Sequence, residues 1–319
     1  MTASEQNISM PRVLVMMATY NGERYVGEQI ESILAQEHVR VHLFICDDRS
    51  TDATSEICKR YADEHDNVTF VVNNMNKGIE KNFLDMVYGA NAARYDYFAL
   101  SDQDDWWMPE KLEHAAKALA PCGDEPTLYY SDVENVDVNL QNGVREYAVY
   151  ESCKDNLLTL LITNWAAGCT MLFNPAFCEL LQRSPAERYP RMHDVWIHLV
   201  ALSCGNVKAD LAHSYIKRRI TGNNAAGVSP LGKVGASRLK GMVGYLVSKS
   251  DHYAVYTAQE LEKSYGDVIH PQWKGIVRTF ASMDTSFKAR VQIALHPLCR
   301  NPYPRETVFF KVRALLNKL

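Results

Sequence analysis

Asp102-Gln103-Asp104 is the grouping best suited to chemistry, because two carboxylates spaced i, i+2 on extended chain point to the same side and can share one cation. Oxygen donors of this kind suit Mg²⁺ or Mn²⁺, ions that keep some waters and share coordination with substrate phosphates. An isolated Asp-x-Asp is more often a solvated acidic turn. Here it follows the apolar residues 95–100 and precedes Asp105-Trp106-Trp107-Met108-Pro109, a setting that favours a built site. A second acid, Asp194, stands in Met192-His193-Asp194-Val195-Trp196. A carboxylate there either caps a helix starting near Val195 or serves as a base, and the residues alone leave both open. His193 and His198 are five apart and outside a His-Glu-x-x-His frame, which argues against zinc.

The elements that position these groups are legible as alternating strands and helices. Residues 13–17 form a short apolar run of the kind buried on both faces of a sheet. Residues 42–46, 68–72, 95–100 and 128–132 read as further strands. Helical spacing appears at Tyr25, Ile30, Ile33 and Leu34, after Ser50-Thr51-Asp52, and over 83–93. Alternation of this kind predicts an open, mostly parallel, doubly wound α/β sheet, with the ligand site beyond the carboxyl ends of its strands. Thr19-Tyr20-Asn21-Gly22, Asp47-Asp48 and Asp102-Gln103-Asp104 all fall at such ends. No Gly-x-Gly-x-x-Gly follows the first strand and no P-loop motif occurs, so dinucleotide and P-loop chemistry are poorly supported.

Composition bounds the class. The chain has 319 residues, 47% hydrophobic and 23% charged, with a net charge of −4 that argues against nucleic-acid binding. Residues 231–319 hold 14 Lys/Arg and 6 Asp/Glu, a net of +8, which leaves −12 on the rest. An acidic body with a basic tail suits an enzyme that binds a divalent metal and approaches an anionic surface. The eight cysteines are scattered, as expected of reduced, buried thiols. Neither a signal peptide nor a membrane span of about 20 apolar residues is visible, so a cytoplasmic location is expected.

Thr19-Tyr20-Asn21-Gly22, residues 45–52 and Leu100-Ser101-Asp102-Gln103-Asp104-Asp105-Trp106, taken in order, resemble the inverting glycosyltransferases of family 2. The Ser-Asp-Gln-Asp-Asp-x-Trp wording is most similar to its bacterial polysaccharide rhamnosyltransferase branch. The resemblance covers roughly residues 10–225 and implies a GT-A fold, a dTDP- or UDP-sugar donor and a glycan acceptor, including a lipid-linked one. It implies that Tyr20 stacks near the nucleoside base and that Asp47 bonds the imide edge of uracil or thymine. Thr19, Asn21, Glu23, Gln103 and Lys81 would line the same donor site. Asp102 would reach ribose and metal, with Asp104 the principal ligand. Asp194 would be the general base, and Gly168, Cys169, His193, Trp106 and Trp196 would surround the acceptor. Core packing remains the alternative for both tryptophans. Relatives often carry a His where this chain has Thr221, which leaves metal ligation from that side in doubt; Lys217, Arg218 and Arg219 are alternative diphosphate contacts.

The expected organisation is a catalytic domain over 1–225, with a nucleotide half to about 110 and an acceptor half to 225, then a helical extension over 226–319. Residues 309–316 read as a basic amphipathic helix that either lies on an anionic inner leaflet or packs on the protein. Two other functions fit the layout: a nucleotidyltransferase, which would normally show a Gly-rich triphosphate loop, and a non-catalytic glycan-assembly subunit.

Overall fold

The computed structural model describes residues 10–186, 192–221 and 252–319. Its centre is one sheet of nine strands: β1 (Arg12–Thr19), β2 (Arg40–Asp47), β3 (Val68–Val72), β4 (Tyr97–Ser101), β5 (Trp106–Trp107), β6 (Thr127–Val136), β7 (Val144–Arg145), β8 (Leu172–Phe173) and β9 (Asn206–Arg219). The order is β3-β2-β1-β4-β8-β6-β9-β5, with β7 beside β6. Pairing is parallel across β3-β2-β1-β4 and between β6 and β9; the short β8 inserts antiparallel between β4 and β6.

The long apolar runs are buried because helices cover both faces. Helices α1 (Val26–Leu34), α2 (Thr54–Glu64) and α4 (Lys111–Leu119) lie on one side, and α3 (Ile79–Gly89), α6 (Pro175–Arg183) and α7 (His193–Cys204) on the other. In β1, Val13 through Met17 are all buried, as a strand packed on two faces requires. A single turn of helix, α5 (Leu157–Leu160), precedes the segment that returns to β8. Four more helices close the chain: α8 (Tyr253–Tyr265), α9 (Pro271–Ala281), α10 (Phe287–Leu295) and α11 (Pro304–Leu315). The boundary expected near 226 lies outside the described residues.

Register sets the site. Thr19 pairs with Asp47 across β1 and β2, and Met17 pairs with Ser101 across β1 and β4, so the three polar strand ends finish within two residues of one another. The strands read from sequence do not include β9, which is the longest among the described residues. Its burial alternates irregularly around bulges against β6, which hides the two-residue period from sequence.

Candidate active site

A cleft of about 430 Å³ opens at those strand ends. Thr19, Tyr20, Asp48, Asn82, Asp102 to Asp105, Gly168, His193, Asp194 and Arg218 border it. The turn after β1 is held by reciprocal contacts with the start of α2. Asn21, at φ 48°, accepts the Thr51 amide at 2.8 Å, and Glu23 accepts the Ala53 amide at 2.9 Å. Asn21 and Glu23 therefore brace the loop and are not among the residues that border the cleft. The two acceptors satisfy amides that the N-terminus of α2 would otherwise leave unpaired.

Asp47 likewise lies outside the residues that border the cleft. It is fully buried and its carboxylate accepts four hydrogen bonds, from the Thr19, Ser50 and Ser55 hydroxyls and the Ser50 amide, at 2.6–2.9 Å. Those donors come from the end of β1, the β2–α2 loop and the start of α2, so the oxygens are occupied within the protein. Asp48, the next residue, borders the cleft. It accepts the Lys77 and Gly78 amides at 2.8 Å each and the Asn73 side-chain amide at 2.9 Å, which folds residues 73–78 around it. Gly78 sits at φ 81°, a conformation that strains other residues. Lys81 faces elsewhere: it pairs with Asp85 at 2.9 Å, which Lys77 also reaches.

Beneath the acidic loop, Gln29 donates to Ser101 at 2.9 Å, both groups fully buried. Arg219 underlies the same loop from β9, donating to the Asp104 carbonyl at 3.1 Å and to Glu28 at 2.5 Å. Neighbouring strand residues point to opposite faces, so Arg218 turns into the cleft. Asn135 at 2.9 Å, Tyr147 at 3.2 Å and Glu146 hold its guanidinium. Lys217 lies over the Trp106 ring, 5.4 Å from its centroid and away from the cleft. The basic triplet thus splits three ways. Thr221 ends the described part of this segment.

Carboxylates crowd here. Burial and the charge of Asp194 push Asp102 up to about 6; burial and the charge of Asp102 do the same to Asp104. Asp105, nine-tenths buried and more, has neither oxygen hydrogen-bonded and is raised further by desolvation and its two acidic neighbours. Asp102, Asp105 and Cys169 bring ligand atoms within 4.8 Å of one another. Orphaned carboxylate oxygens packed this closely fit a hard divalent cation, which would offset their repulsion. The Cys169 thiol is a weak partner, since burial holds it protonated.

Asp194 occupies the first turn of α7 and accepts the Val195 amide at 2.7 Å. It therefore tightens a helix start and borders the cleft at once. Burial raises it to about 6, against the stabilising Val195 and Gly168 amides. His193 beside it is buried, stacked on Phe83 at 4.0 Å, and lowered by desolvation to about 3, so it is neutral. Gly168 packs so closely on His193 that a Cβ would meet Nε2 at 2.5 Å.

Of the two tryptophans with both readings open, neither ring lines the cleft. Trp196 is fully buried on α7 against Tyr265, 6.0 Å between centroids, and is core. Trp106 packs under Lys217 at the β5–β9 edge. Cys169 lies beneath the carboxylates, 1% exposed. Asp48, Asn76 and Asn82 border the cleft without having been assigned to it from sequence, and of the three basic residues offered for the diphosphate Arg218 is the one that lines it.

The profile of Glycosyl transferase family 2 matches residues 14–181. The dTDP-rhamnosyl transferase RfbG of Shigella flexneri is 39% identical over 105 residues, 32% of this chain and 36% of that protein. A Bacillus subtilis (strain 168) protein named as a glycosyltransferase, EpsE, is 32% identical over 189 residues, 59% of this chain and 65% of its own. The matches thus span less than two thirds of these relatives' length. Among solved structures, Staphylococcus aureus TarS in complex with UDP-GlcNAc superposes with a TM-score of 0.55 at 16% identity, covering 96% of this chain and 91% of that one. A Pyrobaculum calidifontis mannosyltransferase in complex with GDP-Man and Mn²⁺ gives 0.53 at 17%, covering 97% and 75%. These likenesses support the GT-A fold, and the nucleotidyltransferase alternative falls away. With its strand-end acids gathered in one cleft and more than half its length matched, the chain belongs to glycosyltransferase family 2.

Proposed function

We propose that this protein is an inverting rhamnosyltransferase that moves L-rhamnose from dTDP-L-rhamnose to a hydroxyl of a growing bacterial surface glycan. The observation that carries it is the shared cleft of Asp194 and Asp102, close enough for the charge of one to raise the other. The acceptor hydroxyl attacks the anomeric carbon on the side opposite the nucleotide diphosphate. Asp194 takes the hydroxyl proton as the new C–O bond forms. The old C–O bond breaks, and its electron pair leaves on the diphosphate. Arg218 faces that developing negative charge with a fixed, fully ionised guanidinium.

Asp102, Asp104 and Asp105 would hold Mg²⁺ or Mn²⁺, which supplies neutralisation of the departing diphosphate. Tyr20, exposed at the rim, would stack on the base. The rhamnosyl donor is supported by the acidic-loop wording and by the partial likeness to RfbG. Residues 1–225 act as the catalytic domain, in the cytoplasm, on a lipid-linked acceptor at the inner membrane face. Among the described residues no helix is long and apolar enough to cross a membrane.

A panel of nucleotide-sugars assayed by released nucleotide tests the reading. Turnover is expected with dTDP-L-rhamnose, dependent on divalent metal, and lost in Asp194→Asn. Full turnover by Asp194→Asn, or preference for another donor, would overturn the corresponding part.

A further inference from the structure

The last two helices carry a surface that the catalytic reading does not use. α11 buries Phe309, Arg313 and Ala314 against the protein. Its exposed side shows Val308, Val312, Leu315 and Leu316, which recur at i, i+4, i+7 and i+8 and are 37–63% exposed. A solvated helix face would carry polar residues at those positions. α10, packed against α11, adds Phe287 and Leu295, the latter 75% exposed. This helix packs on the protein with one face and leaves the other exposed.

The charge says what meets the apolar side. Residues 285–319 contain seven Lys/Arg and one acid, Glu306. Arg305 and Lys288 are exposed on the same two helices. A second copy of this chain would bring like charge against like. An anionic lipid surface offers opposite charge to the cations and acyl chains to the aliphatic side chains.

This layer is fixed to the cleft. The turn joining α10 to α11 offers the Leu298 carbonyl to Asn156 at 2.9 Å and the Arg300 carbonyl to Thr159 at 2.5 Å. Asn156 caps α5, and the chain runs from α5 to Ala167 and Gly168 in the cleft wall.

We propose that the exposed face of α10 and α11 seats on an anionic bilayer surface and so presents the acceptor side of the cleft to a lipid-borne glycan. The presentation of acceptor rests on the transferase reading above; the seating does not. The test is sedimentation of the full chain with phosphatidylcholine vesicles, with and without phosphatidylglycerol. Binding is expected only to the anionic vesicles and should weaken with added salt. Val308→Ser with Val312→Ser, and separately Arg305→Glu with Lys311→Glu, should lower binding roughly tenfold or more. Nucleotide release with a soluble acceptor should stay unchanged in both, which shows that they fold. Asp194→Asn should bind vesicles like wild type, so loss of turnover and loss of seating are read separately. Equal binding to neutral vesicles, no binding at all, or variants that change only the oligomeric state in ultracentrifugation would overturn the proposal.

Discussion

The side-chain amide of Gln103 forms a two-way bridge with the backbone of Tyr20: Oε1 accepts the Tyr20 amide at 2.9 Å and Nε2 donates to the Tyr20 carbonyl at 3.0 Å. The acidic loop is thereby fastened to the loop that follows β1. Gln103 also borders the cleft, and this bridge fixes where its side chain sits. Gln103→Ala should raise the donor Kd by an amount on the order of 1–3 kcal/mol, two neutral hydrogen bonds' worth. A Cβ on Gly22 would lie 2.2 Å from Gln103 Oε1, so Gly22→Ala must also open the bridge. Calorimetric donor titrations should find the double variant no weaker than the weaker single one; additive losses would show the two residues acting separately.

Asp194→Asn should lower kcat by roughly 10²–10⁴-fold and leave donor affinity near wild type, as expected for loss of a positioned base. Because burial raises Asp194 to about 6, the base form is depleted as pH falls through that value. The turnover number should therefore decline on the acid side of about pH 6. A flat profile there, with the protein folded, would remove Asp194 from the proton transfer.

Asp102 and Asp104, both raised to about 6, give the opposite sign to the usual surface carboxylate. The folded chain keeps protons that the unfolded chain has released by about pH 4, so unfolding free energy falls as pH rises from about 4 to about 6. Divalent cation should restore it above that window by binding the folded state alone. Thermal unfolding should show Mg²⁺ or Mn²⁺ raising Tm at neutral pH and far less at pH near 5. Asp102→Asn combined with Asp104→Asn should abolish that response.

Gly168→Ala should push the His193 ring off Phe83, since the added Cβ would lie 2.5 Å from Nε2. Acceptor kcat/KM should drop at least tenfold, on the order of the 1–3 kcal/mol typical of overpacking, with donor binding unchanged. Loss of donor binding instead would place this contact on the wrong side of the cleft.

Asp47→Ala should be a stability variant. Its carboxylate joins β1, β2 and α2 through four hydrogen bonds, and leaving those buried donors unpaired costs on the order of 1–3 kcal/mol. Urea unfolding should show the drop, and the fraction still folded should bind donor normally. A donor defect in a fully stable variant would restore the base-reading role to Asp47.

The acids after β4 and the helix-leading Asp194 were visible in sequence because their chemistry is local. An apolar strand must end somewhere, and the polar residues at its end are adjacent in the chain. The same locality hid Asp48. Two neighbouring aspartates read alike until the Thr19–Asp47 register turns one inward and leaves the other at the cleft. Trp196 is settled by tertiary structure for a related reason, since an aromatic beside a cleft carboxylate points wherever its helix face points, here into the core.

By itself, then, the order of strands, turns and acids determined the alternating α/β layout, the family and the identity of the carboxylates, since each is written in contiguous residues. Only tertiary structure decided which side chains converge. Arg218 and Arg219 diverge because adjacent strand residues face opposite ways. Gln103 meets Tyr20 because β1 and β4 lie side by side, 83 residues apart in sequence. Pairing across such distances is set by how strands stack, and no single segment carries that information.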